Sequence, residues 1–199
     1  MNKRSVIYLF LVILIALTGC ETNYLPKPKG YNRLDLPDHS YQNLPDTLPY
    51  TFEFSKHAKL LSDTSWISEK DWVEIYYPNL RANIHITYKR VNNDTALLKE
   101  YFSDSYTLTS KHQIKAYAID DIIMTSPFGK TFSIAELDGQ VPSQFQFVCT
   151  DSVRHFLRGA LYFDTKINND SLRPAIDYMK IDVLQMMNTL QWNEDYKFQ

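Results

Sequence analysis

Ala82-Asn83-Ile84-His85-Ile86-Thr87-Tyr88-Lys89-Arg90-Val91-Asn92-Asn93-Asp94 carries two signals that set the fold class. Ile84, Ile86 and Tyr88 alternate with His85, Thr87 and Lys89, the period of a strand buried on one face. Asn92-Asn93-Asp94 then turns the chain and supplies an N-cap. Beyond it Leu97, Leu98, Tyr101, Phe102 and Tyr106 recur at helical spacing.

Working outward, β-type runs occur at Tyr50–Phe54 and at Trp72–Tyr77, which stops at Pro78. They resume at Gln113–Met124, Lys130–Ile134, Ser143–Thr150 and Val153–Phe163, with Thr150-Asp151-Ser152 turning the last two into a hairpin. A last helix follows Asn169-Asp170-Ser171, with Pro174 expected in its first turn. Ile176, Met179, Val183, Met186 and Leu190 form one apolar stripe along it, a core face or else an adaptable partner groove. Strands separated by one helix and closed by another predict a single α+β domain over residues 50–199, with a mostly antiparallel sheet and flanking helices. This order of elements is similar to the PsbP/Mog1-type sandwich, a likeness of fold that carries no function.

Upstream of the domain the composition changes twice. Met1-Asn2-Lys3-Arg4, a twelve-residue apolar run from Val6 to Leu17, and Leu17-Thr18-Gly19-Cys20 read as a signal peptide over residues 1–19. Twelve residues at ~1.5 Å each reach only ~18 Å, short of a ~30 Å hydrocarbon core. Leu-Thr-Gly-Cys looks like a bacterial lipobox, with Cys20 the acylated residue, palmitate its expected lipid, and its chains the membrane anchor. Residues 20–49 hold five of the nine prolines and predict an extended arm. Its Lys27, Lys29 and Arg33 form a basic cluster suited either to anionic headgroups or simply to solvent. Tyr24, Tyr31, Leu34, Leu36 and Tyr41 are too many large apolar groups for a solvated spacer, so the later half should lie against the domain or a partner.

The whole chain has 199 residues, a net charge of −2 and 14% aromatics, which excludes a disordered tail or a collagen-like fibre. Without the first 19 residues, 19 basic groups face 23 acidic ones, a balance of −4 that speaks against nucleic-acid binding. Once Cys20 is acylated, Cys149 is the single thiol left, and its alternation with Phe145 and Phe147 makes it a buried strand residue. No His pair has the spacing of a zinc helix, and five glycines write neither a P-loop nor GxGxxG, so no metal, cofactor or nucleotide site is expected. His85 and His112 read as polar-face residues on or beside strands. Asp151, Ser152 and His155 hold the ingredients of a triad but crowd one hairpin turn, a geometry that seldom permits relay of a proton. They read better as turn caps and a polar strand residue, and no catalytic residue is expected. Arg154 and Arg158, four apart with His155 between them, either grip a partner's carboxylate or pair with acids inside the domain.

Two blocks resemble the gliding-motility lipoproteins of the GldD family. They are Tyr24-Leu25-Pro26-Lys27-Pro28-Lys29-Gly30-Tyr31-Asn32-Arg33-Leu34-Asp35-Leu36-Pro37 and Arg154-His155-Phe156-Leu157-Arg158-Gly159-Ala160-Leu161-Tyr162-Phe163, the second followed by Asn169-Asp170-Ser171-Leu172 and the terminal helix. The resemblance implies an acylated, periplasm-facing envelope protein of a Bacteroidetes-type bacterium that is required for gliding and supports type IX secretion. It implies partners among the envelope proteins of that apparatus and no enzymatic activity. Glu21-Thr22-Asn23-Tyr24 lacks the acidic run of surface-exported lipoproteins, which favours the periplasmic side and leaves inner and outer membrane both open. Lys27, Lys29, Tyr31, Arg33, Arg154, His155 and Arg158 are the expected contact residues. Two other readings stand beside this one: a periplasmic binding module for a small ligand, lipid or cell-wall fragment, and a hydrolase with a dispersed site.

Overall fold

Residues 34–113, 115–164 and 169–197 are described by the structure, a computed structural model. The element that begins it is short: β1 (Tyr41–Asn43) runs antiparallel to β3 (Glu53–Ser55), with β2 (Tyr50–Thr51) between them in sequence. Then come β4 (Lys59–Ser62), β5 (Val73–Tyr77), β6 (Ala82–Arg90) and helix α1 (Thr95–Gln113). The second half holds β7 (Ala116–Thr125), β8 (Thr131–Gly139), β9 (Phe145–Thr150), β10 (His155–Phe163), helix α2 (Asn169–Thr189) and β11 (Gln191–Trp192). The fold is α+β. Its main sheet has the order β4-β5-β6-β10-β9-β8-β7, and β11 pairs separately with β2. Every described ladder is antiparallel.

The period of two decides which side chains meet. Ile84, Ile86 and Tyr88 of β6 face the core with Leu157 and Leu161 of β10, while His85, Thr87 and Lys89 face the opposite side with Phe156 and Arg158. Phe147 lies across from Gly159, and a methyl at residue 159 would sit 2.2 Å from the Phe147 ring, so only glycine leaves room for it. On the core face α2 lays down Ile176, Met179, Val183 and Met186, and Leu190 follows just past its end, all buried. The methionine stripe is therefore core, and it removes five large apolar side chains from water at roughly 1.5–3 kcal/mol each before entropy is counted.

Several boundaries differ from the sequence reading for identifiable reasons. Helix α1 runs on to Gln113, so β7 begins at Ala116 and His112 is helical. β8 extends past Ile134 to Gly139, because its long ladder with β7 carries the polar residues Glu136 and Asp138 that interrupt its apolar pattern. A bulge between Ala116 and Ala118 meets Gly139 at φ 130°, where an added Cβ would lie 2.5 Å from the Lys115 carbonyl. Helix α2 begins at Asn169, which puts Pro174 beyond the first turn, where it withholds the N–H owed to the carbonyl of residue 170. The last part of the arm is built into the core: Leu44 and Leu48 are buried, and β1 adds its ladder to β3.

Candidate functional site

The β9–β10 turn forms as its residue types require. Asp151 Oδ1 accepts the backbone N–H groups of Val153, Arg154 and His155 at 3.0, 2.8 and 2.8 Å, and Ser152 takes φ 63°. Burial opposes ionisation of Asp151, but these donors outweigh it and hold its carboxyl below the usual range. The His155 ring points elsewhere. It stacks on Trp192 with centroids 4.7 Å apart, and its Nδ1 shares a 2.8 Å hydrogen bond with the Tyr88 hydroxyl. Burial pushes its pKa down. Asp151 thus meets the backbone of His155 and not its imidazole, and no nucleophile–base–acid relay is assembled at this turn.

The two arginines part company. Arg154 is exposed and pairs with Glu194, on the loop after β11. Arg158 is 8% exposed, lines a cavity together with Ser105 of α1, and donates through Nη2 to the Gln146 side-chain oxygen. Tyr162 supports it as well, though burial dominates and lowers the guanidinium's pKa. No carboxylate among the described residues pairs with Arg158, and its Nε has no hydrogen-bond partner among them.

Arg158 lies on the floor of a 740 Å³ cleft between α1 and the open face of β5, β6 and β10. Trp72, Tyr101, Phe156 and Tyr162 wall it. Lys89 spans its rim, paired with Glu69 and placed 5.1 Å from the Trp72 ring centroid and 5.9 Å from that of Tyr101. At the other end Asp63, Glu74 and His85 bring one donor atom each to within 4.8 Å of one another, with His85 Nδ1 3.6 Å from Glu74 Oε1. Such a cleft holds cationic and anionic recognition groups around an aromatic middle, the make-up of a small-molecule site. Sequence reading placed His85, Thr87 and Lys89 on the correct face but had no means of joining Asp63 and Glu74 to them.

A second polar cluster lies on the closed face. Asp182 of α2 is fully buried and accepts from His39 Nδ1 at 2.6 Å, from Tyr77 Oη at 2.9 Å and from Tyr41 Oη at 3.2 Å. His39 stacks on Tyr178 with centroids 4.3 Å apart. Burial first, and then the Asp182 charge, push the Tyr41 phenol up to about 12 and that of Tyr77 higher. The cluster ties residues 39–41 to the domain. Its signal was present in the sequence as a lone acid between Met179, Val183 and Met186 on the apolar stripe of α2.

Cys149 is buried, and burial pushes its thiol up to about 12, so it is not a nucleophile at neutral pH. Tyr106 and Leu108 of α1 and Tyr117, Ile122 and Ile123 of β7 are exposed, Tyr117 and Ile123 by 80% and 71%. β7 ends the main sheet, and no described strand pairs with its outer edge. Cys20, Lys27, Lys29, Tyr31 and Arg33 lie outside the described residues. No helix among the described residues is long and apolar enough to cross a membrane.

Comparison with known proteins adds three findings. The solution structure of cyanobacterial PsbP (CyanoP) from Synechocystis sp. PCC 6803 is similar over 81% of this chain and 98% of that one, with TM-score 0.48 and 11% identity. No curated protein matches the chain. The family described as gliding motility lipoprotein GldD matches over residues 21–192. The chain belongs to that family, and with it to the lipoproteins of the cell envelope that serve gliding motility.

Proposed function

We propose that this gliding motility lipoprotein is a non-catalytic accessory of the type IX secretion and gliding apparatus. Acyl chains on Cys20 hold it to the membrane, it faces the periplasm, and it acts by contact with other envelope proteins of that apparatus. The observation that supports contact is the flank formed by α1 and β7. Exposed Tyr106 of α1 stands with β7, a ten-residue edge strand that itself exposes Tyr117 and Ile123, an arrangement that accepts an extended partner segment as an added strand. Of the arginine pair, Arg154 is the one at the surface and is a further contact residue; Lys27, Lys29, Tyr31 and Arg33 are contact residues of the arm in the same reading. Arg158 and His155 are buried and serve such contact only from within.

The test is complementation of a deletion strain, scored for spreading and for secretion. The wild-type gene should restore both, and Cys20→Ala should restore neither. A Tyr117→Ser/Ile123→Lys chain, confirmed folded by circular dichroism, should lose function while remaining in the envelope. Full rescue by that variant, together with an in-cell crosslinking pull-down that returns no motility or secretion component, would refute the proposal.

A further inference from the structure

The cleft over the open sheet face contains a charge arrangement that contact with a large partner does not explain. Arg158 is 8% exposed, and among the described residues it meets an amide oxygen and a phenol but no carboxylate. A guanidinium buried without a counter-charge is costly, and such a group is normally paired. The cleft does supply acids: Asp63 and Glu74 converge with His85, two strands across from Arg158, and Asp104 lines it from α1. Lys89, itself paired with Glu69, also lines the cleft, and none of these acids pairs with Arg158, which leaves the guanidinium without a counter-charge among the described residues.

The strand register measures the separation. Glu74 lies opposite His85, and Arg158 lies opposite Thr87, so the two charges are two strands apart and two residues along. At about 4.8 Å between strands and about 3.3 Å per residue, their Cα atoms are about 12 Å apart. A chain of three residues, extended at about 3.3–3.6 Å each, spans about 10 Å, which the side chains at either end close. Between the ends, Trp72, Tyr101 and Phe156 offer flat apolar walls to a backbone and small side chains. A metal ion at Asp63, Glu74 and His85 would satisfy the acids and leave Arg158 as it is.

We infer that this cleft binds a short peptide with free termini, its carboxylate on Arg158 and its ammonium at Asp63 and Glu74. This assigns the domain a ligand and does not depend on the contact surface along β7.

The experiment uses the full acylated chain in detergent and follows thermal unfolding and tryptophan fluorescence, Trp72 being in the cleft wall. The probes are the alanine tripeptide, its N-acetylated form, its C-terminal amide, and calcium or zinc ions alone. The free tripeptide should bind, and blocking either terminus should raise Kd by about tenfold or more. Glu74→Gln with Asp63→Asn should weaken the free tripeptide about tenfold and abolish discrimination against the acetylated one. These side chains are half-buried at the cleft's mouth, so this variant keeps the test valid even where Arg158→Lys does not fold. Equal binding of all three peptides, no shift at millimolar tripeptide, or a full shift with the metal ion alone would overturn the inference.

Discussion

Asp182→Asn should destabilise the chain by about 3 kcal/mol, because it weakens three hydrogen bonds at a site from which water is excluded. The Asp182 carboxylate is 0% exposed and receives His39, Tyr77 and Tyr41 at 2.6, 2.9 and 3.2 Å. A hydrogen bond to a charged acceptor contributes about 1.5–3 kcal/mol and a neutral one about 0.5–1.5, so each contact loses about 1 kcal/mol. His39 is part-exposed and stands at the low end of that range; Tyr77, buried in the core, stands at the high end. For a domain of this size the loss corresponds to a fall in Tm of about 6–12 °C. Urea unfolding of wild type, Asp182→Asn, Tyr77→Phe and the double variant forms the cycle. Tyr77→Phe alone should cost about 1–2 kcal/mol, and the double variant about 1 kcal/mol less than the sum. The network also ties down the end of the arm, so proteolysis around residues 34–41 should quicken in Asp182→Asn before global unfolding begins. Strict additivity, or a loss under about 0.5 kcal/mol, would refute the reasoning.

Two further perturbations probe the core from other sides. Gly159→Ala places a methyl 2.2 Å from the Phe147 ring and should cost about 1–3 kcal/mol in urea unfolding, despite the better strand propensity of alanine. Phe147→Leu in the same chain should recover part of that loss, and a double variant no better than additive would show that the ring was free to move. Stability should also fall at alkaline pH. Burial raises the phenols of Tyr41, Tyr50, Tyr77 and Tyr88, so the folded state keeps protons that the unfolded state releases near pH 10. Their contribution is fully present below about pH 10 and is lost as pH climbs through the folded values, which begin at about 12 for Tyr41. Unfolding free energy read beside phenolate absorbance checks this, and a profile flat from about pH 9 to about pH 12 contradicts it.

What local pattern could reveal, it revealed well. β6 was legible because each of its faces has one kind of neighbour, so alternation of apolar and polar groups survives along its whole length. The stripe of α2 was legible for the matching reason, since the helix buries one side only. Elements stabilised by distant partners were not. β11 has two residues, and only its pairing with β2 makes Gln191-Trp192 a strand. β4 is mostly exposed and gains its order from β5, so Lys59-Leu60-Leu61-Ser62 shows no pattern of its own. β7 is a different case: the run Gln113–Met124 was legible as a strand, but as an edge strand it exposes Ile122 and Ile123 together with Asp120 and Asp121, so neither of its faces reads as buried.

The candidate site follows the same physics one level higher. Alternation alone puts Arg158 and Phe156 on one face of β10 and His155 on the other. It says nothing of what covers that face, and the cover decides the chemistry. Under α1 the Arg158 guanidinium becomes a buried cation; beside Trp192 the His155 imidazole becomes a stacked ring whose pKa burial pushes down. Arg154, one residue before the strand, escapes both covers and finds Glu194 in solvent. Three neighbours in sequence therefore have three unrelated environments. Grouping them as a binding motif from their spacing joined residues that β10 and its turn send to three different places. The groups that do share a place, Arg158 with Asp63, Glu74 and His85, come from β10, from the loop after β4, from β5 and from β6. Only the register of the ladders places those four segments around one cavity.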